Sequence, residues 1–442
     1  MKRSKNMFFV LVLSLACTGV VGSATSASAA EGSNAICTNS SGTGCTTGMS
    51  TAFLDATPFA SPTVDICATL FSIMNASTFV GGTVIDARGL TSTNSKLTCT
   101  AATADTPWVQ GAASVTKAST VLLPPGTIQI AYSWALPNGT RLIGEGNGST
   151  ALNATLIQAT TNITTGFMLQ MGTSCPSGGC SNVSIENLSL RGNGLAVVGG
   201  ITNSSSHEFS YVRQVNLFGI AGTGLQVTTG STNSGPYSQL TFTAAASSSV
   251  CTSISGSTTS TRGIQGLTCT GNGFLPASAI LLDSPNNVIE DVRITGFTAG
   301  ITVGANANVQ SAALMNITGG SSVTNLIQIS NAHAVTDLAM MGLYKNGATN
   351  AIQDLETLPA SKQLINDATV GLYVIGEKMG SVAAYSKFTT SPNPNAVTWS
   401  TGTSPLTVDS ACPSTGSMYS NTHGGANTTW YVCRGGTWAN VQ

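Results

Sequence analysis

The chain has 442 residues, with 16 Lys and Arg against 17 Asp and Glu, a net charge of −1 and only 7% charged residues. That balance, with no basic block after the first few residues, excludes the positive footprint on which nucleic-acid binding depends. Gly, Ser, Thr, Asn and Ala dominate, a composition that suits disorder unless the 41% of hydrophobic residues are organised into a core.

The chain opens with an export signal. A basic MKRSKN precedes an apolar MFFVLVLSLACTGVVGSA, and the small residues Ala27 to Ala29 mark cleavage after Ala29 or Ala30. A lipoprotein reading through Cys17 is weakened by Ser14, which stands where such a box has Leu. No other apolar run approaches the ~20 residues of a membrane span. The protein is therefore expected to be secreted, extracellular or periplasmic, or held at the cell surface.

Ten of the eleven cysteines lie beyond the signal. Export permits disulfides. Sequence neighbours pair as Cys37–Cys45, Cys67–Cys99, Cys175–Cys180, Cys251–Cys269 and Cys412–Cys433. Cys269 falls on an inward position, so a buried free thiol is the alternative there. No CxxC occurs and His is scarce, which argues against zinc.

Residues 31–115 read as a lead-in and cap. Within them, DICATLFSIMNAS (65–77) is helical, with Ile66, Leu70, Ile73 and Met74 on one face and Asp65 as N-cap.

From 116 to 390 the chain repeats itself. VIEDVRITG (288–296) places apolar residues at Ile289, Val292 and Ile294, then Gly296. The same frame fits Ile185, Leu188, Leu190 and Gly192, then Val212, Val215, Leu217 and Gly219, then Ile264, Leu267, Cys269 and Gly271. It also fits Val335, Leu338, Met340 and Gly342, with looser copies at Tyr237 and Ala312. Starts at 185, 212, 237, 264, 289, 312 and 335 give a period near 25 residues, the mark of a repeat architecture. A second alternating run follows in each unit, such as AILL at 279 and GITV at 300. Short strands without helices predict the coils of a parallel β-helix, stacked at about 4.8 Å. Equivalent residues then lie above one another, which favours polar ladders over rows of like charge. The outward position reads Ser189, Asn216, Thr241, Thr268, Arg293, Asn316, Ala339.

Residues 391–410 read as a linker. Residues 411–442 read as a small β module bracketed by Cys412 and Cys433 and rich in aromatics.

The segments GGTVIDARGL (81–90), STVLLPPGTIQI (119–130) and LPNGTRLIGEGNGST (136–150), followed by the coils, resemble the secreted bacterial right-handed parallel β-helix proteins of the pectate-lyase superfamily over residues 60 to 390. The resemblance implies an all-β, right-handed, single-stranded parallel β-helix with an N-terminal capping helix and a C-terminal β appendage. It implies a carbohydrate-active protein, a polysaccharide lyase or glycoside hydrolase, with a polysaccharide or surface glycan as partner. A non-catalytic glycan-binding or adhesive surface protein is the alternative. No cofactor is indicated, although a lyase of this class would call for calcium. The family's catalytic motifs are missing: Asn-Thr-Asp, Asp-Asp, Gly-His-Gly and Arg-Ile-Lys do not occur, nor does Arg-x-Pro-x-x-Arg.

Chemistry must then come from the few charges that the ladders carry. Asp283, Glu290 and Asp291 are the candidate catalytic acids, since paired acids supply acid and base for glycosidic cleavage. In the predicted strand Asp291 and Arg293 point outward, and Glu290 lies at the bend. Arg293, Arg213, Arg191 and Tyr211 are the candidate glycan contacts. The plainer reading of Asp291 and Arg293 is a solvated ion pair. Glu186 and Arg213 share a repeat position and are expected to stack as a structural salt bridge. His207 beside Glu208 could shuttle protons, although a lone loop His is more often merely exposed. GEGNG (144–148) lacks the context of a phosphate loop and reads as a turn.

Overall fold

The computed structural model describes residues 53–100, 105–149, 154–163, 166–171, 175, 179–196, 198–228, 233–256, 261–330, 332–336, 338–355, 372–375, 399–402, 406–412, 417–421, 423 and 430–440. The export signal expected from the sequence and the expected Cys37–Cys45 pair lie outside them.

The chain forms an all-β solenoid of about ten turns. Each turn lays one strand in a long sheet, for which fifteen strands are described, and one in a nine-stranded second sheet. Within both sheets every pairing is parallel, as between Ser184–Arg191 and Tyr211–Ile220 or Gly199–Asn203 and Thr223–Val227. A short third side closes the coil where Val309–Gln310 pairs with Val335–Thr336.

Stacking sorts the sequence into columns. Ile85, Val121, Leu142, Ile185, Val212, Tyr237, Ile264, Ile289, Leu314 and Met340 lie in register along the long sheet. All ten are buried. This register moves the last two repeats from 312 and 335 to 314 and 340. The reason is that AALM and AVTDLAMM each offer two apolar frames. Val335 instead serves the short third side. The outward ladder accordingly ends Arg293, Thr318, Tyr344, in place of the expected Asn316 and Ala339.

From Ile185 onward, two residues after each column member the backbone turns left-handed, at Asn187, Gln214, Gln239, Gly266, Asp291, Asn316 and Gly342, with φ between 54° and 69°. The extra residue lets apolar side chains three apart, such as Ile289 and Val292, both face inward. The bend therefore lies at Asp291 and not at Glu290. Asn, Asp and Gly tolerate this conformation best, which accounts for most of the ladder's composition. Further along some repeats, backbones approach closely at the glycine of the frame: a Cβ on Gly192 would lie 2.7 Å from the carbonyl oxygen of Gly219. A Cβ on Gly271 would lie 1.8 Å from the carbonyl oxygen of Gly296.

The helix α1 (Ile66–Asn75) begins at Asp65, whose Oδ1 accepts from the amide of Ala68 at 2.7 Å. Its Ile66, Leu70, Ile73 and Met74 join the core. The Cys67–Cys99 disulfide ties it to a strand of the long sheet. Disulfides also join Cys175 to Cys180, Cys251 to Cys269 and Cys412 to Cys433. The Cys251–Cys269 bridge is fully buried and links a strand of the second sheet to the next strand of the long sheet, so Cys269 is not a free thiol. Near the C-terminus, Trp399–Gly402, Met418–Asn421, Trp430–Arg434 and Thr437–Asn440 form a separate four-stranded sheet. Tyr431, Cys433 and Trp438 are its buried cluster.

The corner positions set clear mutational limits. Gly271→Ala should destabilise the fold by about 1–3 kcal/mol, the range for overpacking. Asp291→Asn should shift stability by less than about 0.5 kcal/mol, as exposed changes do. Asp291→Val, a β-branched residue in the left-handed region, should cost about 1–2 kcal/mol. Chemical denaturation of the three variants checks this order.

Candidate functional site

Charge is scarce on the ladders, so its concentration on the outer face of the early coils stands out. Arg141, Ser184 and Tyr211 are in register on three adjacent strands of the long sheet. Glu186 and Arg213 lie two residues further along the same strands, also in register with each other. Alternation puts all five on the face away from the core.

They form one hydrogen-bonded group centred on Glu186. Arg141 Nη2 donates to Glu186 Oε1 at 2.7 Å, and so does the Tyr211 hydroxyl at 2.7 Å. The Ser184 hydroxyl donates to the same oxygen at 3.2 Å. Arg141 Nη2 also reaches the Tyr211 oxygen at 3.4 Å. Arg213 Nη2 stands 3.9 Å from Glu186 Oε2. The Glu186 side chain is only 9% exposed, whereas those of Arg141 and Arg213 are 46% and 54% exposed. Burial is the largest influence on the Glu186 carboxyl and opposes its ionisation. The hydrogen bonds from Arg141 and Tyr211 outweigh it and hold the group below its ordinary range. The cluster thus presents two guanidinium groups and one carboxylate, an excess of one positive charge.

The other sequence candidates are dispersed. Asp283 closes a strand of the second sheet and is 1% exposed. Its Oδ1 accepts from the Asn306 amide at 2.8 Å and its Oδ2 from Asn306 Nδ2 at 2.7 Å, so it pins the loop that follows the next strand. Glu290 and Asp291 lie on the long sheet, away from Asp283's sheet. Asp291 accepts from Asn316 Nδ2 at 3.1 Å, a neighbour in the corner ladder. Glu290 stacks between Gln265 and Met315. Arg293 lies beyond the corner between Thr268 and Thr318. Among the described residues no ion pair joins Asp291 to Arg293. Arg191 sits over the Phe218 ring of the next coil at 5.0 Å. The expected Glu186–Arg213 contact is present but long, and Arg141 is the closer partner.

Arg141 and Ser184 were not legible as site residues. Arg141 precedes Leu142, and Leu142 is 43 residues before its column neighbour Ile185, because this coil also carries the strand Thr155–Ala159. The ~25-residue period skips over that distance. His207 packs against Gly179, where a Cβ would lie 2.2 Å from the imidazole. Among the described residues no three His, Cys, Asp or Glu side chains come together as a metal site. The cluster's single carboxylate does not fit calcium, which prefers several oxygen ligands. No helix among the described residues is long and apolar enough to cross a membrane.

By sequence, the chain matches no described protein family and no curated protein. Among solved structures it is similar to ORF18 of Geobacillus virus E2, with 11% identity and a TM-score of 0.38, over 65% of this chain and 52% of that one. It thus spans about half the length of that protein. It is similar to the A-module of a mannuronan C-5 epimerase from Azotobacter vinelandii, with 12% identity and a TM-score of 0.33, over 73% and 96% of the two chains. A third similar structure is an alginate lyase from Paenibacillus sp. str. FPU-7, with 10% identity and a TM-score of 0.35, over 74% and 100%.

The lowered pKa of Glu186 has a pH signature. A carboxyl held below its unfolded value adds stability above that value, and the contribution is lost as pH falls through the folded one. Glu186→Gln should therefore melt below the wild type at pH 7. The gap should close as the pH drops under 4.5, the ordinary glutamate value. Thermal melts of both proteins across pH check this.

Proposed function

We propose that the protein acts on an extracellular acidic polysaccharide at the outer face of the long sheet, as a polysaccharide lyase. The observation that carries this reading is the Tyr211 hydroxyl held between Glu186 and Arg141, with the exposed Arg213 beside it. Elimination from a uronate needs a cation against the sugar carboxylate, which acidifies the neighbouring C–H, and a group that moves protons at the scissile bond. Arg213 is placed for the first task. Tyr211 is suited to the second, because its hydroxyl is oriented by two charged partners and polarised between them. Hydrolysis fits less well. It calls for two carboxyl groups, one of them protonated, and the cluster holds one that is kept ionised.

A second reading is a glycan-binding surface without cleavage. It is favoured by the saturation of Glu186, whose Oε1 already accepts from Arg141, Tyr211 and Ser184. Export to the cell exterior suits either reading, and so do the four buried or loop-closing disulfides.

Incubation with a panel of polyuronates separates the two. A lyase gives the ultraviolet absorbance of an unsaturated uronate product. Tyr211→Phe should then lower the rate roughly 10²–10⁴-fold, the usual scale of proton-transfer catalysis, with binding retained. A binding protein gives no product but is retarded in polyuronate gels, and Arg213→Ala should abolish the retardation. Neither product nor retardation would defeat both readings.

A further inference from the structure

Phe209 stands in the loop that leads into Tyr211, and two features set it apart. It is 60% exposed, more than any other large hydrophobic residue among those described. Its φ is +58°, in the left-handed region where a bulky side chain is disfavoured. Such a conformation persists only when its surroundings impose it, and it is most informative when it presents a side chain to solvent.

The surroundings do impose it. The amide of His207 donates to the Cys180 carbonyl at 2.7 Å, and that of Asn182 to the Glu208 carbonyl at 3.1 Å. On the other side, the Gly235 amide donates to the Ser210 carbonyl at 2.6 Å, and the Val183 amide to Ser210 Oγ at 3.2 Å. The loop is thus fastened to the coils on both sides. Arg262 comes from a later coil, where its amide donates to the Ser234 carbonyl at 2.7 Å. Its guanidinium carbon lies 5.4 Å from the Phe209 ring centroid, in cation–π range. Arg262 is itself exposed.

We infer that Phe209 and Arg262 form a subsite for one acidic sugar ring of the glycan chain whose reacting ring lies at Tyr211. The ring of Phe209 offers a flat apolar face for the C–H face of a pyranose. Arg262 offers a planar donor pair for a carboxylate. Glu208 is the one acid in this loop, and Arg262 with Arg213 leaves the rim positive around it. A ring carried on a fastened backbone loses less freedom on binding than one on a mobile loop. The inference rests on the proposed glycan reading of the Glu186 cluster and adds the second contact point and the charge of the ring it takes.

Glycine accepts a φ of +58° without strain, so Phe209→Gly separates stability from binding. The test is titration of the full-length protein with homo-oligouronides and with neutral gluco-oligosaccharides of equal length, alongside thermal melts. Phe209→Gly should melt at or above the wild-type temperature while losing at least tenfold in oligouronide affinity. Phe209→Tyr should restore that affinity. Arg262→Gln should narrow the preference for oligouronides over neutral chains while keeping most of the stacking contribution. Wild-type binding that Arg213→Ala abolishes but Phe209→Gly leaves untouched would overturn the subsite alone. No binding by the wild type to any chain would overturn the proposed function and the subsite together.

Discussion

Parallel stacking at the strand spacing governs this molecule. Each coil lies about 4.8 Å from the next, so every side chain has its nearest non-local neighbours at the same position one coil above and below. A position is therefore acceptable only if it is acceptable beside its own kind. Aliphatic columns satisfy that rule in the core, and left-handed Asn, Gln, Asp and Gly satisfy it at the corner. Ser, Thr and Asn satisfy it on the outside, as where the Thr241 hydroxyl donates to Asn216. The low charge content follows from the same rule, since a column of one sign would repel itself along its length.

The rule also explains why the candidate site looks as it does. A carboxylate placed in a column must find its counter-charge within one coil, and Glu186 finds Arg213 in its own column and Arg141 in the neighbouring one. Arg141, Glu186 and Tyr211 are bonded together on three adjacent strands of the long sheet. No loop has to close for the hydroxyl of Tyr211 to be oriented. The fastening of Phe209 extends the same logic to the rim of this face.

Much of the fold was legible because its strongest signal is local and repeated. The frame Ile289, Val292, Ile294 and Gly296 specifies a coil by itself, and neighbouring cysteines pointed to the four disulfides described, with a free thiol left open at Cys269. Register was harder. In AVTDLAMMG two apolar frames compete, and only contact with Leu314 selects Met340 over Val335. The site was hardest to read. Glu186, Arg213 and Tyr211 stand out in the sequence as charged or aromatic residues near repeat positions, but Asp283 is near Glu290 and Asp291 only in sequence. Asp283 turned to the other sheet and became a loop anchor, while Asp291 proved to be a corner residue. Arg141 was hidden because the coil it opens is nearly twice the usual length, and a period cannot be read across a single irregular interval.

The buried bridge between Cys251 and Cys269 gives the solenoid a mechanical property. A coil pulled from one end would peel away turn by turn, each turn surrendering only its own sheet contacts. The bridge joins consecutive strands that belong to different sheets and closes a span of 18 residues. Roughly 60 Å of chain, at about 3.4 Å per extended residue, is thereby withheld from any extension. A pull along the chain would pass through the bridge and bypass residues 252–268, which stay a closed loop for as long as the bridge is intact.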